Sequence, residues 1–213
     1  MYISHPMHRG VLVACVFLST VATGAPAMAT EEPKFTVVQH TEAFDVRRYA
    51  PVVVAETTVE GDWGEASNLG FRRLAGYIFG GNKSRTKFAM TAPVGMQDRV
   101  QVPKTALDTV RANGAHSWIV SFTMPAETAL AAMPIPDDAR VTLREVPVRL
   151  VAAKRVGGWW SAANFADDGA TFLRELAAAG LKPTGTGPVL ARYNPPWIPF
   201  FMRRNEVLVE LAP

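Results

Sequence analysis

Thiols are almost absent from this chain: its 213 residues contain one cysteine, Cys15. That cysteine lies in a segment that reads as an address. His5, His8 and Arg9 precede the apolar run Val11–Ala22, and small residues then lead to Ala27-Met28-Ala29 before Thr30-Glu31-Glu32. A charged head, a short apolar core and an A-x-A site describe a secretory signal peptide over residues 1–29, cut after Ala29. The expected protein is therefore exported, to a periplasm or the extracellular space, and the apolar run is too short for a comfortable membrane span. Cleavage leaves no thiol for a disulfide, a thiolate ligand or a nucleophile.

Other chemistries also lack their parts. His40 and His116 are the histidines that remain, with no His-x-x-x-His or Cys-x-x-Cys spacing for a zinc site and no G-x-S-x-G elbow. Gly76-Tyr-Ile-Phe-Gly-Gly81 has no Gly-Lys-Ser/Thr ending, and its glycines close a helix instead of opening one. The adjacent pairs Asp137-Asp138 and Asp167-Asp168 point apart on regular structure and read as solvated turn and helix positions. Removing Arg9 from the 22 basic residues leaves 21 against 19 acidic, and no Lys/Arg block is longer than a pair. A nucleic-acid surface needs a concentrated basic face, so none is expected. No residue is nominated for catalysis, and the expected protein is not an enzyme.

What is present is a duplication. Val52–Val59, Gly61-Asp62-Trp63 and an amphipathic run to Phe79 closed by Gly80-Gly81 recur as Val148–Val156, Gly157-Gly-Trp-Trp160 and a run to Ala179 closed by Gly180. Each copy is followed by an Ala-x-x-x-Pro element, Ala89–Pro93 and Ala191–Pro195. Two copies of such a long unit indicate one pseudo-twofold domain over residues 30–213, with halves at about 34–125 and 139–213. The mature length, 213 less 29 or 184 residues, suits a single core.

Each half reads as strand, strand, helix, strand, strand. The strands fall at Phe35–Val38, Phe44–Tyr49, Val52–Val59, Lys87–Met96 and Ser117–Thr123, then at Val141–Val146, Val148–Val156, Val189–Tyr193 and Glu206–Leu211. The first helix runs from near Asp62 to Phe79 with a stripe of Ala66, Leu69, Phe71, Leu74, Ala75 and Ile78. The second starts at the N-cap Ser161, with Phe165, Gly169, Phe172, Leu173, Leu176 and Ala177 inward. Two helices on one side of an antiparallel or curved sheet make an α+β fold. Between Tyr193 and Met202 the Pro-stiffened connector carries Trp197, Phe200, Phe201 and Met202, followed by Arg203-Arg204. Apolar rings with a basic rim suit an amphipathic ligand that carries carboxylates.

Val46-Arg-Arg-Tyr49, Asp62-Trp63, Gly70-Phe71, Tyr77-Ile78, Lys87-Phe-Ala-Met-Thr-Ala-Pro-Val94, Tyr193-Asn-Pro-Pro196 and Arg204-Asn-Glu-Val207 together resemble the SOUL haem-binding protein family. The resemblance runs in order along nearly all of the mature chain. It implies duplicated β-α-β-β units forming a distorted eight-stranded antiparallel barrel or sheet with two flanking helices. It also implies binding of haem or another tetrapyrrole in an apolar cleft beside the first helix. Carried over by position, the cleft involves Asn68, Phe71 and Ala75, then Met90, and the connector from Trp197 to Arg203. Some family members place a histidine, considered an iron ligand, where this chain has Arg48, and related proteins carry Arg and Met where it has Asn68 and Ala75. Neither His40 nor His116 falls on a family motif. Haem is therefore expected to be held by shape and apolar burial, with weak axial ligation or none. The same architecture is similar to the duplicated effector-binding domain of bacterial regulators, which leaves a site for other apolar or cationic molecules as the alternative. A tetrapyrrole-modifying enzyme is the third reading.

Overall fold

β-branched runs become strands, and the two Gly-terminated amphipathic runs become helices. The computed structural model describes residues 30–99, 116–126, 128–157, 161–195 and 197–213, so the expected leader lies outside the described residues. Strands are β1 (Phe35–His40), β2 (Asp45–Tyr49), β3 (Val52–Glu60), β4 (Val94–Asp98), β5 (Ser117–Thr123), β6 (Val141–Val146), β7 (Arg149–Val156), β8 (Val189–Arg192) and β9 (Asn205–Leu211). The helices are α1 (Trp63–Ile78) and α2 (Ala162–Ala178). All nine strands form one antiparallel sheet, ordered β1-β2-β7-β9-β8-β4-β5-β3-β6, curled into a half-barrel. The α+β expectation holds, with β1 as a ninth strand added on the edge of β2.

The duplication is visible in that order. Exchanging β2 with β6, β3 with β7, β4 with β8 and β5 with β9 returns the eight repeated strands in reverse. The halves meet where β4 pairs β8. They also trade strands: β2 pairs β7 of the other half, and β6 pairs β3. Both helices open alike, since Asp62 accepts from the Glu65 N–H at 2.8 Å and Ser161 from the Asn164 N–H at 3.1 Å. Both close on a left-handed glycine, Gly80 at φ +106° and Gly180 at φ +73°.

Two expectations shift. The strand foreseen from Lys87 begins only at Val94. The arm before it bonds elsewhere: Phe88 N–H donates to the Ile78 carbonyl at 2.8 Å, Ala92 N–H to the Glu31 carbonyl at 2.8 Å, and Thr91 Oγ1 to the Thr123 carbonyl. Pro93, after a cis peptide bond, has no N–H for a ladder. The inward face of α1 is also rotated from the one foreseen. Ala66, Ser67, Gly70, Leu74, Tyr77 and Ile78 are buried, while Phe71 turns outward. Gly70 is the cause: a Cβ there would lie 2.5 Å from Val120 Cγ2, so helix and β5 approach to a distance only glycine permits. In α2, Phe165, Gly169, Phe172 and Leu176 are buried as foreseen, whereas Ala177 is exposed and Leu173 half-buried.

The core lies between helices and sheet. Under α1 it comprises Val53, Ala55, Leu74, Tyr77, Ile78, Val120, Phe122 and Met124. Under α2, Phe165, Phe172 and Leu176 pack with Val46, Ala152, Val207 and Val209. Trp63 of α1 packs on the α2 cluster, 5.0 Å edge-on to Trp118 and 5.6 Å from Phe165.

On the concave face of the sheet a buried polar network ties four segments together. The Arg47 guanidinium on β2 donates to both Glu206 oxygens on β9, at 2.7 and 3.2 Å, and also to Asp45 Oδ2. Tyr193 Oη donates to Glu206 Oε2 at 2.8 Å. Arg204 donates to Glu206 Oε1 at 3.3 Å and to both oxygens of Glu32, on the strap that precedes β1. Burial alone pushes the Glu206 carboxyl up, but the hydrogen bonds of Arg47 and Tyr193 and the Arg47 and Arg204 charges bring it below its ordinary 4.5.

Two predictions follow from this packing. Gly70→Ala forces its methyl into Val120 and is expected to cost about 1–3 kcal/mol by urea denaturation, although alanine is the better helix former. Glu206→Gln leaves Arg47 buried without its counter-charge and should cost roughly 3–5 kcal/mol at neutral pH. Because the folded Glu206 is held below 4.5, its contribution is complete above that pH and is lost as pH falls through the folded value. Urea denaturation from pH 7 to pH 3 should therefore show a steeper loss below about pH 4.5 in the wild type than in Glu206→Gln. Parallel slopes would remove Glu206 from acid sensitivity.

Candidate functional site

The turn of α1 about Gly70 decides what its outer face presents. Asn68, Phe71, Ala75 and Phe79 recur at helical spacing along that face. Asn68 is exposed, Phe71 is 39% and Phe79 57% exposed, and Ala75 is half-buried. The Phe71 ring meets Phe122 of β5 edge-on, with centroids 5.4 Å apart, so one edge is anchored and the rest stays open. Ala75, Phe88 and Met90 pack on the cluster that includes Phe122, Leu74 and Tyr77. Gly76 lies beside Ala75 with nothing within 4 Å of the place a Cβ would take. The result is a shallow apolar floor between α1 and the 87–93 arm.

Cations flank this floor. Arg72 is exposed on α1. The Lys87 stem lies against Gly80, its Cγ 3.7 Å from the position of a Cβ there. Arg73 turns away and donates to the Thr58 carbonyl at 3.1 Å.

Of the residues expected from sequence, Phe71, Ala75 and Met90 thus converge on one core cluster, with Asn68 at the polar end of the same helix face. Trp197 and Arg203 sit on the β8–β9 connector. That connector leaves the sheet beside the first half of α1, where Arg192 donates to Ser67 Oγ at 2.8 Å. Arg203 Nε donates to the Ile198 carbonyl at 2.6 Å, so its guanidinium braces the connector. Sequence reading missed Phe79, Gly76, Phe88 and Lys87 as site residues. Phe79 was within reach, since it continues the Ala75 row at i+4; Phe88 and Lys87 join the floor only because their arm leaves the sheet.

The floor fits a flat apolar macrocycle with anionic groups at its edge, since rings and small residues lie within reach of cations. Its fit to the metal of such a group is poorer. Met90 is the axial-type side chain at the floor. His40 is exposed and bonded to Asp45 at 2.7 Å, and His116 stacks on Trp118 with centroids 5.7 Å apart. Tyr77 is buried with its hydroxyl on the Pro134 carbonyl, and burial pushes its pKa up to about 12. Among the described residues no group of three or more His, Cys, Asp or Glu is arranged to hold a metal ion.

Two cavities lie elsewhere, and none of the six expected residues lines either. One, of about 790 Å³, opens between the strap, the start of β3 and residues 123–131, with Glu31, Glu32 and Glu145 against Lys34 at its rim. The other, of about 510 Å³, is the concave face of the sheet. Its charges are already matched, Arg144 to Glu56 at 3.1 Å and Arg149 to Glu210 at 3.5 Å.

Comparison with known proteins gives the family. Heme-binding protein 2 of Mus musculus is 35% identical over 79 residues, and that of Homo sapiens 36% over 78. These matches cover 35% and 34% of this chain and 38% of each relative, so the chain matches little more than a third of the length of these curated relatives. Among solved structures, the C-terminal domain of EcmrR superposes at a TM-score of 0.55 with 8% identity, covering 78% of this chain and 95% of that one. A hydrolase from Listeria innocua superposes at 0.54 with 12% identity, covering 82% and 94%. At such identities these two likenesses concern the fold alone. The family profile described as SOUL heme-binding protein matches residues 30–210, the whole of the sheet and both helices but for the last strand residue, and the chain belongs to the SOUL heme-binding protein family.

Proposed function

We propose that this chain is a non-enzymatic binder of haem or a related tetrapyrrole, and that it holds the macrocycle against the outer face of α1. The observation that carries this reading is the difference between its two equivalent helices. Aligning Asp62 with Ser161 also aligns Gly70 with Gly169, and then Phe71, Ala75 and Phe79 stand opposite Ala170, Arg174 and Ala178. One helix keeps an apolar strip in solvent that its duplicate lacks, and an exposed strip of this kind favours a ligand. Charge supports the same place. A porphyrin with two carboxylates is favoured beside Arg72 and Lys87 and disfavoured at the larger cavity with its three glutamates. On this reading affinity comes from apolar burial and propionate pairing, with the iron weakly ligated or left without a protein ligand. Family membership and the names of the mammalian relatives favour the haem class.

Hemin titrated into the protein is expected to give a saturable Soret shift. Gly76→Glu sets a carboxylate at the edge of the floor where there is open space. Removing a helix-interior glycine should raise stability by about 0.5–1 kcal/mol, while hemin affinity falls roughly tenfold or more. Ala75→Glu should act in the same direction on hemin, with some loss of stability because Ala75 is half-buried. Unchanged hemin affinity in both variants would remove α1 as the site. A melting midpoint raised by ethidium and unmoved by hemin would transfer the function to the acidic-rimmed cavity and an apolar cation.

The proposal includes export, which rests on the pattern of residues 1–29. N-terminal sequencing of protein from the producing cells' extracytoplasmic fraction should begin at Thr30. A chain recovered only from the cytoplasm with Met1 intact would overturn export.

A further inference from the structure

The larger cavity is separate from the α1 floor, since none of the floor residues lines it. It is built largely from additions to the duplicated frame. Its walls are the strap ahead of β1 and the stretch 125–131 after β5, both outside the repeated strands and helices. The frame contributes the start of β3, the end of β5 and Glu145 on β6. A volume of about 790 Å³ is that of a site for a small organic molecule. Pro33, Pro51, Val52, Val53, Met124 and Leu130 supply apolar surface. Two features select what such a site would take.

The first is a shortage of open donors. Ala126 N–H donates to Glu31 Oε1 at 2.5 Å, Met124 N–H to the Val53 carbonyl and Ala50 N–H to the Lys34 carbonyl, both at 2.8 and 3.0 Å respectively. Thr91 Oγ1 donates to the Thr123 carbonyl and Thr128 Oγ1 to the Pro125 carbonyl, so each hydroxyl keeps only lone pairs for a ligand. Pro33, Pro51 and Pro125 have no N–H. The second feature is charge. Glu32 is matched by Arg204, which donates to both of its oxygens. Glu31 and Glu145 form no ion pair among the described residues, and Lys34 is the cation that shares their lining. Acceptors and negative charge are thus in surplus. Among the described residues no aromatic ring lines the cavity, so a quaternary ammonium would find no cage, and recognition falls to N–H donors.

We propose that this cavity binds an apolar primary or secondary amine in its ammonium form. The hydrocarbon body lies on the proline and aliphatic wall, and the N–H groups turn to the carboxylates of Glu31 and Glu145. Charge-assisted hydrogen bonds of this kind are about twice as strong as neutral ones, which an acceptor-rich lining rewards only in a cationic donor. An anion with the same body would meet the glutamates with like charge. The cavity and the α1 floor share no residue, so amine binding at one adds to tetrapyrrole binding at the other.

The experiment uses the full chain at neutral pH and two probes with one ring system and opposite charge, 1-naphthylmethylamine and 1-naphthylacetate, titrated by calorimetry. The amine should bind saturably, and the acetate at least about tenfold more weakly. Glu145→Lys should weaken the amine roughly tenfold and narrow its lead over the acetate. Its melting midpoint should be unchanged, because Glu145 is exposed and forms no ion pair among the described residues. Ala131→Trp, at an exposed position of the lining, takes up space in the cavity and should weaken the amine without a change of charge. No saturable amine binding, equal affinity for the two probes, or an amine affinity that both variants leave unchanged overturns the proposal. So does hemin binding that tightens in Glu145→Lys, which would seat the porphyrin in this cavity. Amine binding in a protein that gives no Soret shift with hemin would sustain this site and sink the α1 reading.

Discussion

The buried pairing of Arg47 with Glu206 is the constraint to which most of the architecture answers. Two charges taken from water into the sheet are tolerable only if every lone pair and N–H finds a partner. Here Asp45 shares the arginine, Tyr193 and Arg204 share the glutamate, and Glu32 takes what remains of Arg204. Moving any one member strands another. The network therefore fixes the register of β2 against β7 and β9, the angle at which the β8–β9 connector departs, and the docking of the strap. It also explains the motifs by which the family is recognised. Arg47, Tyr193, Arg204 and Glu206 sit within Val46–Tyr49, Tyr193–Pro196 and Arg204–Val207, and their bonds go to one another. These four motif residues therefore serve the scaffold.

This separation decides how much was legible in the sequence. Caps, helix ends and strand runs are local chemistry, and Asp62, Ser161, Gly80 and Gly180 act where a reader expects. The duplication was legible because glycine and tryptophan mark the same corner twice. The inward face of α1 was not, because helical spacing leaves open which of two adjacent stripes turns in. A close approach to Val120 that only Gly70 permits settles that from outside the helix. The exposure of Phe71 is a consequence of the same contact. The 87–93 arm was misread as strand for a comparable reason: its composition suits a ladder, but its partners are Ile78, Glu31 and Thr123. Nothing in the spacing of Arg47 and Glu206, 159 residues apart, announces that they meet.

The two halves share a frame and differ in finish. Gly70 and Gly169 hold matching places, yet one packs on a strand valine and the other on Pro188. Where α1 carries Phe71, Ala75 and Phe79, α2 carries the smaller or charged Ala170, Arg174 and Ala178, and its Glu175 pairs Lys154 at 2.5 Å and so fastens the helix to β7. One helix is thus secured by an ion pair at the sheet, and the other keeps apolar surface in reserve. Of the two equivalent helices, α1 therefore carries the exposed aromatic strip and α2 does not.

The exchange of β2 and β6 between halves bears on the order of assembly. Neither half completes a sheet from its own strands, because each closes against a strand supplied by the other. β9 lies between β7 and β8, so the middle of the sheet is filled by a strand that follows both of its neighbours in sequence. Contacts that join residues so far apart repay their loop-closure cost only when both ends are in place, which favours late and concerted closure. An emerging polypeptide would accordingly hold β2 paired with β1 alone until β7 arrives to cover its other edge.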